Sequence, residues 1–309
     1  MSLSEEFLRS VCILNPSPWD DLRYMLRSPS YEELKLIPEE FDVIEVEDLP
    51  GPYPDQGQLP SCVGWSWSLW MRVTNLFLDD MPDILSAWDA YMKARKYDGL
   101  PDFLEGSNNL GAAKGLQKLG LCTEACWSTP TLKSQDPGQP CGDHEDISQL
   151  FGIDSYYQVP ITWGAFKSAM WGQISEPQWE GTVPLVVGYQ VSESWREIGD
   201  DGIVPDPSPG DIVLGGHSSL IVGIKLIDGK RYLVNLNSWG ANQGDGGVFY
   251  IPESYLTTGR IMDCFIGRNG SLIENGESDC SVALGTTGLL NGISKTLGRK
   301  TRFKTYVDR

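Results

Sequence analysis

The spacing of apolar residues changes character midway along the chain, and that change limits the folds open to it. From about residue 61 to 127 the pattern repeats with a helical period. Cys62 to about Leu78 reads as one helix, then MPDILSAWDAYMKARKY and NLGAAKGLQKLGL, the last ending at Gly120. After about residue 150, VPLVVGYQV, GHSSLIVGIKLI, KRYLVNLNSW and GGVFYIP are β-branched or aromatic runs separated by Gly, Pro and Asp, so they read as strands. Helices gathered in one half and strands in the other predict an α+β fold with two lobes, about 36–150 and 151–268. Segments 126–145 and 198–211 read as surface loops.

Charge narrows the function. The chain of 309 residues carries 24 Lys+Arg against 42 Asp+Glu, a net −18. Residues 295–309 hold +5 of this, leaving −23 on the rest. Such a balance argues against nucleic acid or an anionic membrane as the main partner, because both need clustered cations. No stretch reaches the roughly 18 apolar residues of a membrane span. The first residues lack a cationic start followed by an apolar run, so no signal peptide is expected, and the chain is expected in the cytoplasm or in an assembled particle. Residues 1–35 read as an acidic leader with one or two small helices. Residues 269–309 read as a Gly-rich tail whose basic end is either a solvated charge run or a docking segment for a protein partner.

Only two histidines are present, so any imidazole chemistry must run through His144 or His217. In DQGQLPSCVGW, Cys62 follows a candidate N-cap, Ser61, at the start of a helix. Unpaired N–H groups and the positive dipole end favour a thiolate there. Read alone, the same cysteine could be a small buried hydrophobe. GGHSSLIVGIKLIDGKRYLVNLNSWG reads as a β-hairpin with His217 near its start and Asn237 near its end. A two-residue turn at Asp228-Gly229 would send those residues to opposite faces. A three-residue loop Ile227-Asp228-Gly229, with a bulge at Gly229, would set His217 opposite Trp239 and make Asn237 its diagonal neighbour, roughly 7–8 Å away. The bulged loop is the expectation adopted.

Gln56, Ser61-Cys62, Gly216-His217 and Asn237-Ser238-Trp239-Gly240 occur in an order that resembles papain and the cathepsins. Cys62 and His217 are 155 residues apart, near the family's range of about 130–150. Leu36-Ile37-Pro38-Glu39-Glu40-Phe41-Asp42 resembles the start of the mature domain, Gly106-Ser107 the substrate strand, and Gly244-Asp245-Gly246-Gly247-Val248-Phe249 the strand after the NSWG motif. The resemblance covers roughly 36–268. It implies a two-lobed papain-like cysteine endopeptidase without a cofactor, acting on polypeptides. By resemblance, Cys62 is the nucleophile, ionised by the helix terminus and by His217 as imidazolium, and Asn237 orients the imidazole. Trp239 shields that pair, Gln56 and the Cys62 N–H form the oxyanion hole, and Gly106, Ser107 and Gly216 line the substrate. Val63, Pro60 and Gln58 depart from the family pattern around the nucleophile. Two alternatives are carried: amide hydrolysis of peptidoglycan by the same site, and a papain-like domain serving as an assembly component, for instance in a virion.

Cys122, Cys126, Cys141 and His144 form C-x3-C-x14-C-x2-H, which resembles zinc-ligand spacing. A structural zinc, a Cys126–Cys141 disulfide and reduced thiols are the open readings. Without a signal peptide, most cysteines are expected to be reduced.

Overall fold

In a computed structural model of the chain, which describes residues 3–18, 25–49, 51–76, 84–172 and 182–268, the helix that begins at Cys62 sits at the centre. Helix α3 (Cys62–Leu76) is apolar on nearly every face because it is enclosed on nearly every side. Trp67, Leu69, Trp70, Met71 and Val73 are all fully buried. Around it pack α4 (Ala87–Tyr97) and α5 (Asn109–Leu119). Ser86 and Asn108 cap these two helices by accepting the N–H of Asp89 and Gly111, and Gly120 closes α5 at φ +64°. The leader contributes α1 (Glu5–Val11), capped by Ser4, and α2 (Tyr31–Lys35), begun by a capping box of Ser30 and Glu33. A further helix, α6 (His144–Leu150), begins inside the segment read as loop, so His144 is a first-turn helix residue and not a loop residue.

The other half is one antiparallel sheet. Its strands are β1 (Phe41–Asp42), β2 (Ser155–Gln158), β3 (Leu185–Ser192), β4 (Val213–Ile227), β5 (Lys230–Leu236), β6 (Val248–Pro252) and β7 (Ile261–Arg268). Their spatial order is β2-β7-β3-β4-β5-β6, with β1 added beside β4. Helices α7 (Trp163–Met170) and α8 (Ser254–Thr257) complete the described elements. The two-lobed α+β architecture expected from periodicity is the one observed, although β1 joins the sheet from the helical half of the sequence. The Gly-rich tail and its basic end, 295–309, lie outside the described residues.

The β4–β5 hairpin corrects one expectation. Ile227 pairs with Lys230, so the connection is the two-residue turn and not the three-residue bulged loop. Asp228 and Gly229 both have positive φ, +50° and +77°, the conformation of a type I′ turn, which follows the twist of its strands. The register then shifts by one residue within β4, between Ile221 and Gly223, so that Leu220 pairs with Leu236. A bulge at Val222 thus supplies the offset that the bulged loop would have given, and His217 and Asn237 still share a face.

Buried polar groups lock the two halves together. The Ser66 hydroxyl on α3 meets the Ser218 hydroxyl on β4 at 2.7 Å, and Ser218 donates to Asn109 Oδ1 on α5 at 2.8 Å. Asn109 Nδ2 in turn donates to Asp263 Oδ1 on β7 at 2.8 Å. Ser17 of the leader donates to the other carboxylate oxygen of Asp263 and accepts the Leu110 N–H at 3.2 Å. Burial raises the Asp263 pKa, opposed by the hydrogen bonds from Ser17 and Asn109. Asn109→Ala should therefore remove one buried hydrogen bond from each of Ser218 and Asp263, at a cost of about 0.5–1.5 kcal/mol for each. Urea denaturation would measure this, and a loss below about 0.5 kcal/mol would show that the chain of hydrogen bonds does not bind the halves.

Candidate active site

The first turn of α3 carries Cys62, and the main chain at Cys62, Val63 and Ser218 surrounds its thiol. Ser61 does not act as the expected cap. Its carbonyl accepts the Trp65 N–H at 3.2 Å, but its buried hydroxyl has no partner. The first-turn N–H groups of Cys62 and Val63 meet the thiol instead.

Across from this helix end, His217 Nε2 lies 2.8 Å from Asn237 Oδ1. The same Oδ1 accepts the Ser238 N–H at 2.8 Å, which fixes it as the acceptor and places the imidazole proton on Nε2. Nδ1 is therefore a bare lone pair, buried and without a hydrogen-bond partner. The Trp239 ring stacks at a tilt over His217, centroids 4.6 Å apart, and is itself enclosed by Trp195, Phe249 and Phe7 of α1. Gln56, fully buried, reaches both halves. Its Oε1 accepts from the Ser238 hydroxyl at 2.7 Å, and its Nε2 donates to Leu59 O at 2.8 Å and to Val11 O at 3.4 Å.

That last contact is to the end of α1, and the leader residues that follow it, 12–15, form a strap. The Leu14 N–H donates to Gly216 O and the Asn15 N–H to Ser107 O, both at 2.8 Å. Ile13 bridges Gly216 and Leu14 bridges Ser107, each in parallel orientation. The fit depends on missing side chains. A Cβ on Gly106 would lie 1.7 Å from Ile13 O, and one on Gly216 would lie 2.5 Å from Leu14 O. Gly106, Ser107 and Gly216 are thus brought together along one groove, which the chain's own residues 12–15 fill.

Burial opposes the ionisation expected from the helix terminus. Burial pushes the Cys62 thiol up to about 12, with the surrounding N–H groups opposing, and it pulls His217 down to about 4 against the Asn237 hydrogen bond. The pair at rest is a thiol and a neutral imidazole, not a thiolate and an imidazolium. Cys12, a buried residue of the strap and near enough for the charge of Cys62 to act on it, is likewise raised by burial.

The remaining cysteines decide among the readings left open, and most of those described are reduced, as expected. Cys126 and Cys141 form a disulfide, while Cys12, Cys62, Cys122 and Cys264 are free. The four-ligand set Cys122, Cys126, Cys141 and His144 is therefore not available to a metal. Cys122 and His144 instead converge with Asp89, a helix residue that ligand spacing does not reveal. The strap is equally hidden. Its signal is faint: Val11-Cys12-Ile13-Leu14, a short apolar run in an otherwise acidic leader.

Helical half, sheet half and groove together define the papain-like cysteine protease fold. Xylellain, a cysteine protease from Xylella fastidiosa, shares it at a TM-score of 0.70 and 23% identity, over 85% of this chain and 97% of that one. Procathepsin B S9 from Trypanosoma congolense matches at 0.65 and 14% identity, over 87% of this chain and 89% of its own. A peptidase C1-like protein of Acanthamoeba polyphaga mimivirus is 26% identical over 242 residues, 75% of this chain and 74% of that protein. Mouse cathepsin S is 36% identical over 72 residues, 23% of this chain and 20% of its own. No family model matches the chain.

The two shifted groups set the pH behaviour of the closed state. Because burial lowers the His217 pKa, a form that exposed the ring would take up its proton first, and the closed arrangement should weaken as pH falls from about 6.5 toward 4. Because the Cys62 pKa is raised, closure weakens again as pH rises from about 9 toward 12. Alkylation of Cys62 by iodoacetamide in the intact chain should stay slow across pH 7–9. In a chain lacking residues 1–15 it should become fast, with its inflection moved to lower pH. Equal profiles for the two chains would rule out control by the strap.

Proposed function

We propose that the chain is a cysteine endopeptidase held latent by its own leader. One observation carries the reading: an extended segment, residues 12–15, is hydrogen-bonded through its backbone to Gly216 and Ser107, beside the buried Cys62 and His217. A groove that accepts one extended peptide by main-chain contacts is suited to another.

With the strap gone, the chemistry follows from the hydrogen-bond pattern. Nδ1 of His217 is the free base, so it takes the thiol proton of Cys62. The thiolate then attacks the substrate carbonyl carbon, and the oxygen gains negative charge. The Gln56 Nε2–H, which already donates to the Val11 carbonyl at the end of α1, and the N–H groups at the start of α3 stabilise that oxygen. The Nδ1 proton passes to the leaving amine as the C–N bond breaks, leaving a thioester. Water, deprotonated by the same nitrogen, hydrolyses it. Asn237 holds the ring in the productive tautomer, and Trp239 keeps water from the Asn237 hydrogen bond.

A second reading, a papain-like domain used as an assembly component, is favoured by the complete burial of the nucleophile in the resting chain. The thiol-directed epoxide inhibitor of papain-like proteases separates the two. A chain lacking residues 1–15 should be labelled at Cys62 and should cut unfolded protein, and Cys62→Ala should abolish both. Gln56→Ala should keep the labelling site but lower kcat by about 10²–10³. A folded, strap-free chain that is neither labelled nor active would support the assembly role.

A further inference from the structure

We propose that Asp89, Cys122 and His144 form a binding site for a borderline-soft divalent cation, zinc above all, where α4, the turn after α5 and the start of α6 meet. The site lies outside the groove and is independent of the peptidase reading. The candidate ligand atoms all lie within 4.8 Å of one another, with His144 Nε2 3.0 Å from Asp89 Oδ1. One thiolate, one imidazole and one carboxylate are a donor set that suits zinc and not magnesium or calcium, which favour oxygen ligands alone.

The surroundings prepare Asp89 to bind through one oxygen. Its Oδ2 accepts from Lys93 Nζ at 2.6 Å and from the Cys122 N–H at 2.8 Å, and Lys93 is anchored in turn to the Ser148 hydroxyl at 2.8 Å. The ammonium bars a cation from the Oδ2 side, which leaves Oδ1 facing His144. Such partners behind a ligand orient it for the metal. The Cys126–Cys141 disulfide does the same for the imidazole. The Cys141 N–H donates to Cys126 O at 2.8 Å, the His144 N–H to Cys141 O at 3.2 Å, and the Trp127 ring packs edge-on against His144. Asp89 and Cys122 are fully buried, whereas the His144 side chain is 20% exposed, which gives an ion its entry and a water its fourth position.

Without an ion the cluster rests on its own hydrogen bonds, from the Cys122 thiol and the His144 N–H to Asp89. Binding releases the thiol proton to solvent and moves the imidazole proton from Nε2 to Nδ1.

Cobalt(II) gives the test, with the full-length Cys62→Ala chain used so that the thiol in the groove cannot compete. One equivalent should produce a thiolate-to-cobalt charge-transfer band and the visible bands of a four-coordinate ion, both erased by zinc. Cys122→Ser should abolish the charge-transfer band. His144→Ala, at a partly exposed position that should not impair folding, should weaken cobalt binding at least tenfold. The proposal is overturned by a folded chain that gives no charge-transfer band, by a band that survives Cys122→Ser, or by unchanged affinity in His144→Ala.

Discussion

The hydrogen-bond chain from Ser66 through Ser218 and Asn109 to Asp263 is what the rest of the molecule depends on. Apolar packing supplies most of the attraction between the helical half and the sheet, but it is less directional than hydrogen bonding. Hydroxyls, an amide and a carboxylate buried at the junction permit one alignment only, since any shift strands several of them at once. Ser17 closes the same chain from the leader. The leader that carries the strap and the junction therefore meet at Asp263, and the leader is built into the fold and not merely laid on it.

The alignment sets where α3 begins relative to β4, and so brings the Cys62 thiol to the main chain of Ser218, the residue after His217. A second constraint acts within the sheet, where the bulge at Val222 turns His217 and Asn237 to one face. Turn and bulge have separate tasks. Asp228-Gly229 gives the hairpin its twist, and Val222 restores the offset that the site requires.

This division explains what can be read from the sequence. Helices α3, α4 and α5 and strands β3 to β6 are legible because each carries a long periodic or β-branched run. The type I′ turn is equally written in Asp228-Gly229, and only the register at His217 argues against it when no bulge is foreseen. The bulge leaves almost no trace: Val222 sits in Leu220-Ile221-Val222-Gly223, where the apolar run suits a regular strand. The candidate site residues Cys62, His217, Asn237 and Gln56 stand out through motif order, but the shifted ionisation of Cys62 and His217 does not, because it comes from burial, which motif order does not encode. The strap binds by its backbone, so its side chains carry no signature. Asp89 is hidden for another reason, since an acidic residue in the first turn of a helix usually serves the dipole.

Magnitudes indicate how firmly the groove is closed. The lowering of His217 to about 4 corresponds to about 3 kcal/mol favouring an open, protonated state at low pH. The two strap hydrogen bonds, from Leu14 to Gly216 and Asn15 to Ser107, contribute about 0.5–1.5 kcal/mol each, so protonation can offset them. Leu8, Val11 and Leu14 hold the leader more strongly. All three are buried, and burial stabilises each by about 1.5–3 kcal/mol. Acid therefore loosens the closed state without undoing it. Removing the strap therefore means moving the buried apolar face of α1 off the sheet as well as the four residues that run along Gly216 and Ser107.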